Sequence, residues 1–262
     1  MAAAPVFLCG AGGGASVGLV GWGGAQILIP GLTRFAGFTS QKAAATSLCS
    51  LSFSAVIGAA SFAAEGHVDA TTALAIAVPA LGGARLGLVA SRKLTSEQHR
   101  LFFDVASTIM LPTHLYVQHR AANAPESRVE APLVVHAAFG VFCGALSALM
   151  GVGGLPLTMS YLTLATETPH HLVQGTAMMS VSPAIVASAG GRFLAGEVAA
   201  KTVATAAAGS ITGTAIGSQV ALALSEEQLR QCFMGSLVLL GGRSAVSSAL
   251  GIIKLARAGR RR

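Results

Sequence analysis

The sequence from Pro5 to Leu32 reads PVFLCGAGGGASVGLVGWGGAQILIPGL and contains no charged residue. A helix needs about 20 apolar residues to cross the hydrocarbon core of a bilayer, so this stretch is longer than one simple crossing requires. Glycines at positions 21, 23 and 24 interrupt it. We therefore expect a membrane-embedded segment that breaks into two helical parts at Gly21–Gly24.

The composition of the whole chain indicates the same environment. Of 262 residues, 53% are hydrophobic and 10% are charged, whereas about a quarter of the residues in soluble domains are charged. The apolar residues form eight blocks separated by short polar loops, at 5–32, 43–64, 70–91, 99–118, 132–165, 172–195, 201–224 and 230–253. We predict an all-α, multi-pass membrane protein with about eight transmembrane segments.

The net charge of +7 does not indicate a nucleic-acid partner, because the bases lie in short loops and in a C-terminal tail. A basic tail of this kind predicts a cytoplasmic anchor beside anionic lipid. The cysteines fall in apolar blocks without metal-ligand spacing, so we interpret them as core residues and expect neither a metal nor a cofactor. They are Cys9, Cys49, Cys143 and Cys232.

The two halves of the chain are a repeat at a constant offset of 130 positions. The segment Gly21–Gly24 falls on Gly151–Gly154, and Glu97, Gln98, Arg100 and Phe103 fall on Glu227, Gln228, Arg230 and Phe233. Shared alanine and glycine content would not align both motifs at one offset. We predict a first repeat at 1–118, a polar linker at 119–131, a second repeat at 132–254 and a basic tail at 255–262.

The distribution of Lys and Arg favours an inverted second repeat. If the first and fifth blocks are re-entrant, only Arg120, Arg128 and Arg230 lie on one side of the membrane, as the positive-inside rule favours. Each repeat then crosses an odd number of times. We expect both termini to be cytoplasmic and the protein to lie in the plasma (inner) membrane. The opposite, cytoplasmic side then carries Arg34, Lys42, Arg92, Lys93, Arg100, Arg192, Lys201 and the five tail bases.

The paired glycine breaks are the candidate substrate site. After Gly24 and Gly154 a new half-helix begins, and its first backbone N–H groups and positive dipole end can bind an anion. Gly23 and Gly153 precede these positions. Two such helix ends, converging, would suit a small oxyanion. The alternative is that the breaks are kinks that relieve helix packing.

Uncharged polar side chains near the breaks are further candidates for binding the anion. The hydroxyls recur at helical spacing in both repeats and can donate to oxyanion oxygens. The alternative is that they bond to backbone groups and hold helices together. The candidates are Thr46, Ser47, Ser50, Thr176 and Ser180, with the amides of Gln26 and Gln174.

Charged residues inside the apolar blocks are rare, and each is a functional hypothesis. Arg243 falls in the middle of the eighth block, and we include it among the substrate-binding candidates. Asp104, one turn inside the fourth block, is a candidate proton carrier, with pairing to an arginine as the alternative. Arg85 lies close enough to a loop to snorkel. The sequence shows no Ser-His-Asp, Cys-His or H-E-x-x-H pattern, so we predict no catalytic residue and no enzyme.

On these motifs the sequence resembles the TauE/SafE family of sulfite and organosulfonate exporters. The resemblance spans roughly residues 10–250, and it implies a secondary transporter that moves small sulfur-containing anions, such as sulfite or sulfoacetate, out of the cytoplasm. Proton coupling is a further implication. The segments that carry it are Gly21–Pro30, Gly151–Pro156, Gln41–Ser47 and Gln174–Thr176, with Arg100 and Arg230 at the starts of the fourth and eighth blocks.

The residues leave other functions open. A transporter of the same architecture could carry another small anion, such as a carboxylate. A membrane assembly factor or sensor that transports nothing is an alternative from a different class. A membrane-embedded enzyme is disfavoured, because the catalytic patterns are missing.

Overall fold

The computed structural model describes residues 3–21, 24–122, 131–166 and 168–236, together with Val238, Leu239, Gly242 and Val246; in the helix at 96–122 several side chains lie outside this description. The described part of the chain is helical and contains no strand, which confirms the all-α prediction. Its helices are α1 (Ala3–Val20), α2 (Gly24–Phe35), α3 (Ser40–Ala64), α4 (Ala70–Lys93), α5 (Ser96–Ala122), α6 (Leu133–Met150), α7 (Leu155–Ala165), α8 (His170–Leu194), α9 (Ala200–Ala223) and α10 (Glu226–Ser236).

The first and fifth apolar blocks each form two helices, as the glycine breaks predict. Helix α1 ends at Val20, and α2 starts at Gly24. Helix α6 ends in a left-handed Gly151 at φ +73°, and α7 starts after a left-handed Gly154 at φ +69°. These positive φ values require glycine, because a side chain is strained in that conformation.

Within the described residues, five helices are long and apolar enough to cross a membrane, by length and composition: α1, α3, α4, α6 and α8. Helix α5 runs to Ala122, into the predicted linker, and residues 123–130 lie outside the described part. The eighth block, predicted at 230–253, overlaps α10, while most of the block lies beyond the described residues.

Each broken block folds back on itself. In the first block, a methyl group placed on Gly31 of α2 would lie 2.5 Å from Cys9 Sγ near the start of α1. One placed on Gly13, later in α1, would lie 3.0 Å from the carbonyl oxygen of Gly24. In the fifth block, the Ala131 N–H donates to the Ala165 carbonyl across 3.3 Å. The two ends of that block therefore meet.

Glycine faces bring helices of the two halves into backbone contact. On α1, a methyl group at Gly14 would lie 2.1 Å from the Ser210 carbonyl oxygen of α9. On α9, a methyl group at Gly213 would lie 2.1 Å from the Ala11 carbonyl oxygen of α1. The glycine spacing in these two helices is thus a packing face, since only residues without a side chain allow backbones this close.

The same contacts recur between α4 and α6 at the repeat offset. A methyl group at Gly144 would lie 2.2 Å from the Ala80 carbonyl oxygen, and one at Gly83 would lie 2.0 Å from that of Val141. Each half therefore packs its first helix against the last long helix of the other half. Helices α3 and α8 contact each other between these pairs. The helix contacts of one half therefore match those of the other half when the two halves are interchanged.

Candidate functional site

The first glycine break lies beside the start of α8. A methyl group on Gly21 would lie 3.3 Å from Gln174 Cγ. The Gln174 side chain donates from Nε2 to the Gly18 carbonyl across 3.0 Å, and so satisfies a carbonyl at the end of α1. Its Oε1 atom is buried without a hydrogen-bond partner among the described residues. That oxygen can only accept, from water or from a protonated ligand.

Helix α2 adds a second polar group at the first break. Gln26 stands in the first turn of α2, is 8% exposed and has an Oε1 atom without a partner in the described part of the chain. A glutamine amide can present either its oxygen or its NH₂ group at such a position. Gln26 and Gln174 are thus two buried, uncharged amides on helices that flank the first break, each with an Oε1 atom that has no partner among the described residues.

The second glycine break lies beside the start of α3, where a methyl group on Gly151 would lie 2.8 Å from Ala44 Cβ. Two side chains satisfy the end of α6. Arg192 Nη2 donates to the Ala148 carbonyl across 2.7 Å, and His99 Nε2 lies 3.0 Å from that of Leu149. A cation at a helix C-terminus interacts favourably with the helix dipole.

Arg192 is the buried charge that the sequence reasoning missed. We predicted it to be a cytoplasmic loop base, whereas it is 1% exposed inside α8. It pairs with Glu197 across 2.9 Å and donates to Ser91 Oγ across 3.1 Å. Its Nε atom is buried without a partner among the described residues. The sequence feature that could indicate its burial is a basic residue in the last turn of an apolar helix, followed by an acidic residue. Exposed arginines also occur in this pattern, so it does not identify a buried one.

The two breaks offer an anion different surroundings. Gly18 and Ala148 are equivalent in the repeat, yet an amide bonds the first carbonyl and a guanidinium bonds the second. Pro156 is in the first turn of α7 and has no N–H, whereas Gln26 occupies the equivalent position in α2. The first break is therefore the richer source of hydrogen-bond donors from a half-helix start.

Both half-helix starts lie beside the middle of the α3–α8 pair. A methyl group on Gly24 would lie 2.8 Å from Leu51 Cδ2 in the middle of α3, and one on Gly153 would lie 3.3 Å from Ile185 Cδ1 in the middle of α8. Helices α3 and α8 pack against each other. The convergence of the two helix ends on one anion stays a prediction.

Three of the predicted site hydroxyls bond to protein groups. Thr176 Oγ1 accepts from the Asp69 N–H across 2.9 Å, and Ser180 Oγ donates to the Thr176 carbonyl across 2.6 Å. Ser50 Oγ shares a hydrogen bond of 2.7 Å with Ser210 Oγ of α9. These contacts join or stiffen helices, as the alternative interpretation expects.

Thr46 and Ser47 differ from the other three. Both side chains are fully buried, and neither hydroxyl has a hydrogen-bond partner among the described residues. Ser47 lies one helical turn after Ala44, on the face of α3 that meets Gly151. An unpaired buried hydroxyl costs free energy, so these two are the hydroxyls best placed to gain from a ligand or water.

The remaining predicted residues are placed as follows. Gly24 starts α2, and a methyl group on it would lie 2.6 Å from Val17 Cγ2 and 2.8 Å from Leu51 Cδ2. Gly153 has φ +83° and lies near Ile185, and Gly154 caps α7. Gly23, Arg243 and the side chain of Asp104 lie outside the described residues. Within the described ranges, no group of three or more His, Cys, Asp or Glu side chains is placed to hold a metal ion.

Long apolar helices, two of them broken at buried glycines, define a multi-pass helical membrane protein. A family model described as sulfite exporter TauE/SafE matches residues 6–244, and the chain belongs to this family. Members of the family are membrane transporters of sulfur-containing anions such as sulfite, and they are not enzymes. No curated protein and no solved structure gives a match.

Proposed function

We propose that the protein is a secondary transporter that exports small sulfur-containing anions, sulfite and sulfonates such as sulfoacetate, across the plasma (inner) membrane. The observation that carries this proposal is the first glycine break, where α2 starts at Gly24 and the buried amides of Gln26 and Gln174 each have an oxygen without a partner among the described residues. A helix start with uncharged polar neighbours binds an anion without a buried counter-charge, so the anion can also leave.

The second break contributes a separate polar region of the same pathway. There Gly153 and Gly154 lead into α7, and the unpaired hydroxyls of Thr46 and Ser47 line the start of α3. Because both half-helix starts lie beside the middle of the α3–α8 pair, we expect the two breaks to act on the same anion. Gly23, Gly24, Ser50, Thr176, Ser180 and Arg243 complete the proposed set, and Asp104 remains a proposed proton carrier.

The architecture that we propose is two inverted repeats, at 1–118 and 132–254, joined by a linker at 119–131. The exchange of helix partners between the halves and the meeting of Ala131 with Ala165 support re-entrant blocks and inversion. Both termini are cytoplasmic in this arrangement, with the tail at 255–262 beside the lipid.

Counterflow of labelled substrate in proteoliposomes tests the proposed function. We expect uptake of labelled sulfite or sulfoacetate to be driven by the same unlabelled anion inside the vesicles, and labelled acetate to give none. Exchange of acetate alone would assign the protein to another anion. Absence of exchange for every anion would favour a membrane assembly factor or sensor.

Substitution of Gly24 tests whether the first break is the site. In Gly24→Ala the added methyl group displaces Val17 and Leu51 and moves the start of α2, so we expect counterflow to fall by roughly tenfold or more, about 1.4 kcal/mol. Gly12→Ala is the matched control, because its methyl group would lie 3.6 Å from Ile27, in ordinary contact. Equal counterflow in both folded variants would contradict the assignment.

A further inference from the structure

A buried histidine joins three helices next to the first break. His171, in the first turn of α8, has 8% of its side chain exposed. Its Nδ1 atom is hydrogen-bonded to Glu226 Oε1 at the start of α10, and its Nε2 atom lies 3.0 Å from the Ala221 carbonyl oxygen at the end of α9. The ring therefore connects α8, α9 and α10 directly.

Both ring nitrogens of His171 face acceptors. The Ala221 carbonyl can only accept a hydrogen bond, and a carboxylate at Glu226 can only accept as well. A neutral imidazole donates from one nitrogen only. Both hydrogen bonds can therefore form only if the pair carries one proton more than the total on a neutral imidazole and a carboxylate. The extra proton lies either on the imidazole or on the carboxyl group.

The surrounding groups hold the pair in place and set its charge. Glu226 also accepts from the His170 N–H across 2.6 Å and from the His171 N–H across 3.3 Å, and so caps α8. Burial acts to raise the pKa of the Glu226 carboxyl, but hydrogen bonds from His171 and from these backbone groups bring it below its ordinary value. The lowered pKa keeps the Glu226 carboxyl ionised and therefore an acceptor.

In the part of the chain that the structure describes, three other titratable or charged side chains lie near this pair. His67, from the connection between α3 and α4, stacks on His171 with ring centroids 5.2 Å apart. His170, from α8, turns its ring edge toward Phe233 of α10. Arg230, also from α10, is near enough to influence His170 electrostatically. Helix α9 contributes the Ala221 carbonyl.

The pair is connected to both walls of the first break. Gln174, which bonds the Gly18 carbonyl of α1, lies one helical turn after His171 on α8. Ala221 lies one turn after Gly217, where a methyl group would lie 2.6 Å from the Ala15 carbonyl oxygen of α1. Loss of the extra proton removes one of the two hydrogen bonds that the His171 ring makes to α9 and α10, so proton binding biases how α8 and α9 contact α1.

We propose that His171 and Glu226 form a proton-binding site that couples proton binding to opening of the first break. This proposal rests on the proposed transport function, and it assigns the coupling to residues other than Asp104. In the other half, Gln41 and Ser96 occupy the equivalent positions and share a hydrogen bond of 3.4 Å. Neither of these side chains carries a proton at physiological pH that it can exchange, so the site exists at one end of the molecule only.

Nitrogen NMR of the full-length protein, with ¹⁵N-labelled histidine in lipid nanodiscs, tests the site without any substrate. At pH 7 we expect two N–H signals from the His171 ring, identified by their loss in His171→Gln. In Glu226→Gln, the amide oxygen can still accept from the backbone, but the extra proton is lost and one ring signal disappears. A single ring N–H signal in the unmodified protein at pH 7 would overturn the proposal.

Transport of labelled sulfite in proteoliposomes tests the coupling. We expect His171→Gln and Glu226→Gln to retain counterflow, which needs no net proton movement, and to lose pH-gradient-driven accumulation by roughly tenfold or more. His170→Gln is the matched control and should behave as the unmodified protein. Accumulation that persists in both variants overturns the coupling. Absence of counterflow in the unmodified protein contradicts the proposed function instead, and the NMR result then decides the proton site alone.

Discussion

At the scale of single residues, one side-chain difference separates the packing of the two broken blocks. Gly13 lets α2 approach α1, whereas the equivalent Cys143 places its sulfur 3.5 Å from the Gly154 carbonyl oxygen and 3.3 Å from Thr158 Oγ1. A sulfur atom needs space that a glycine leaves empty. The first break is therefore closely packed on one side, and the second is held apart by a side chain.

The equivalent threonines of α3 and α8 give a matched test of binding against structure. Thr46→Val removes a hydroxyl that has no partner among the described residues, so we expect folded yield to be unchanged and anion affinity to fall by about 1 kcal/mol. Thr176→Val also removes the acceptor of the Asp69 N–H, so its thermal stability should fall by a similar amount.

Counterflow titration and thermal unfolding in detergent measure these two effects separately. Unchanged transport in Thr46→Val would remove Thr46 from the site. A loss of stability in Thr46→Val equal to that in Thr176→Val would show that both hydroxyls serve only to join helices.

At the scale of the helices, the ends of the broken segments decide where charge can be buried. The last carbonyls of α6 have no partner in their own helix, and Arg192 and His99 satisfy two of them. The energy of burying Arg192 is offset by Glu197, by Ser91 and by this carbonyl cap. At the second break a buried cation therefore satisfies a carbonyl that a continuous helix would satisfy from its own backbone.

Substitution of the two arginines that bind Glu197 tests this capping role. Arg192→Leu leaves the Ala148 carbonyl and Glu197 without their buried cation, and we expect a loss of stability of about 3 kcal/mol. Arg92→Leu removes an ion pair whose arginine is 46% exposed. We expect this variant to lose about 1 kcal/mol of stability or less, as is usual for exposed ion pairs. Thermal unfolding of both variants in one detergent gives the comparison, and equal losses would contradict a specific role for Arg192.

At the scale of the whole molecule, a nearly symmetric backbone carries different chemistry at its two ends. Arg192 and Glu197 join α8 and α4 at one end of the molecule. Their equivalents in the other repeat are Phe62 and His67, which lie at the other end. His171 and Glu226 likewise correspond to Gln41 and Ser96. In the inverted arrangement that we propose, the two ends would form gates of similar shape, and their different side chains would let them respond to different signals.

Labelling of single cysteines tests the inverted arrangement, in a background that lacks Cys9, Cys49, Cys143 and Cys232. Cysteines at Ala122 and at Glu167, which lies outside the described residues, should both react with an impermeant reagent from outside the cell. A cysteine at Glu97 is the control and should react only from the cytoplasm. Reaction of position 167 only from the cytoplasm would mean that the fifth block crosses fully, and the inversion would be lost.

The sequence by itself determined the membrane environment, the all-helical class, the repeat and the positions of the two breaks. Each of these depends on local properties: the hydropathy of consecutive residues, the conformational freedom of glycine and a constant offset along the chain. A face of small residues is likewise a property of one helix, although the identity of its partner helix is not.

The tertiary structure alone decided which polar groups meet. It buried Arg192 against Ser91, which is 101 positions away, and paired His171 with Glu226, which is 55 positions away. It also divided the predicted hydroxyls into bonded ones and the unpaired Thr46 and Ser47. The residue type determines which bonds a side chain can make. Its partner depends on how helices distant in sequence pack against each other, and no local sequence pattern predicts that packing.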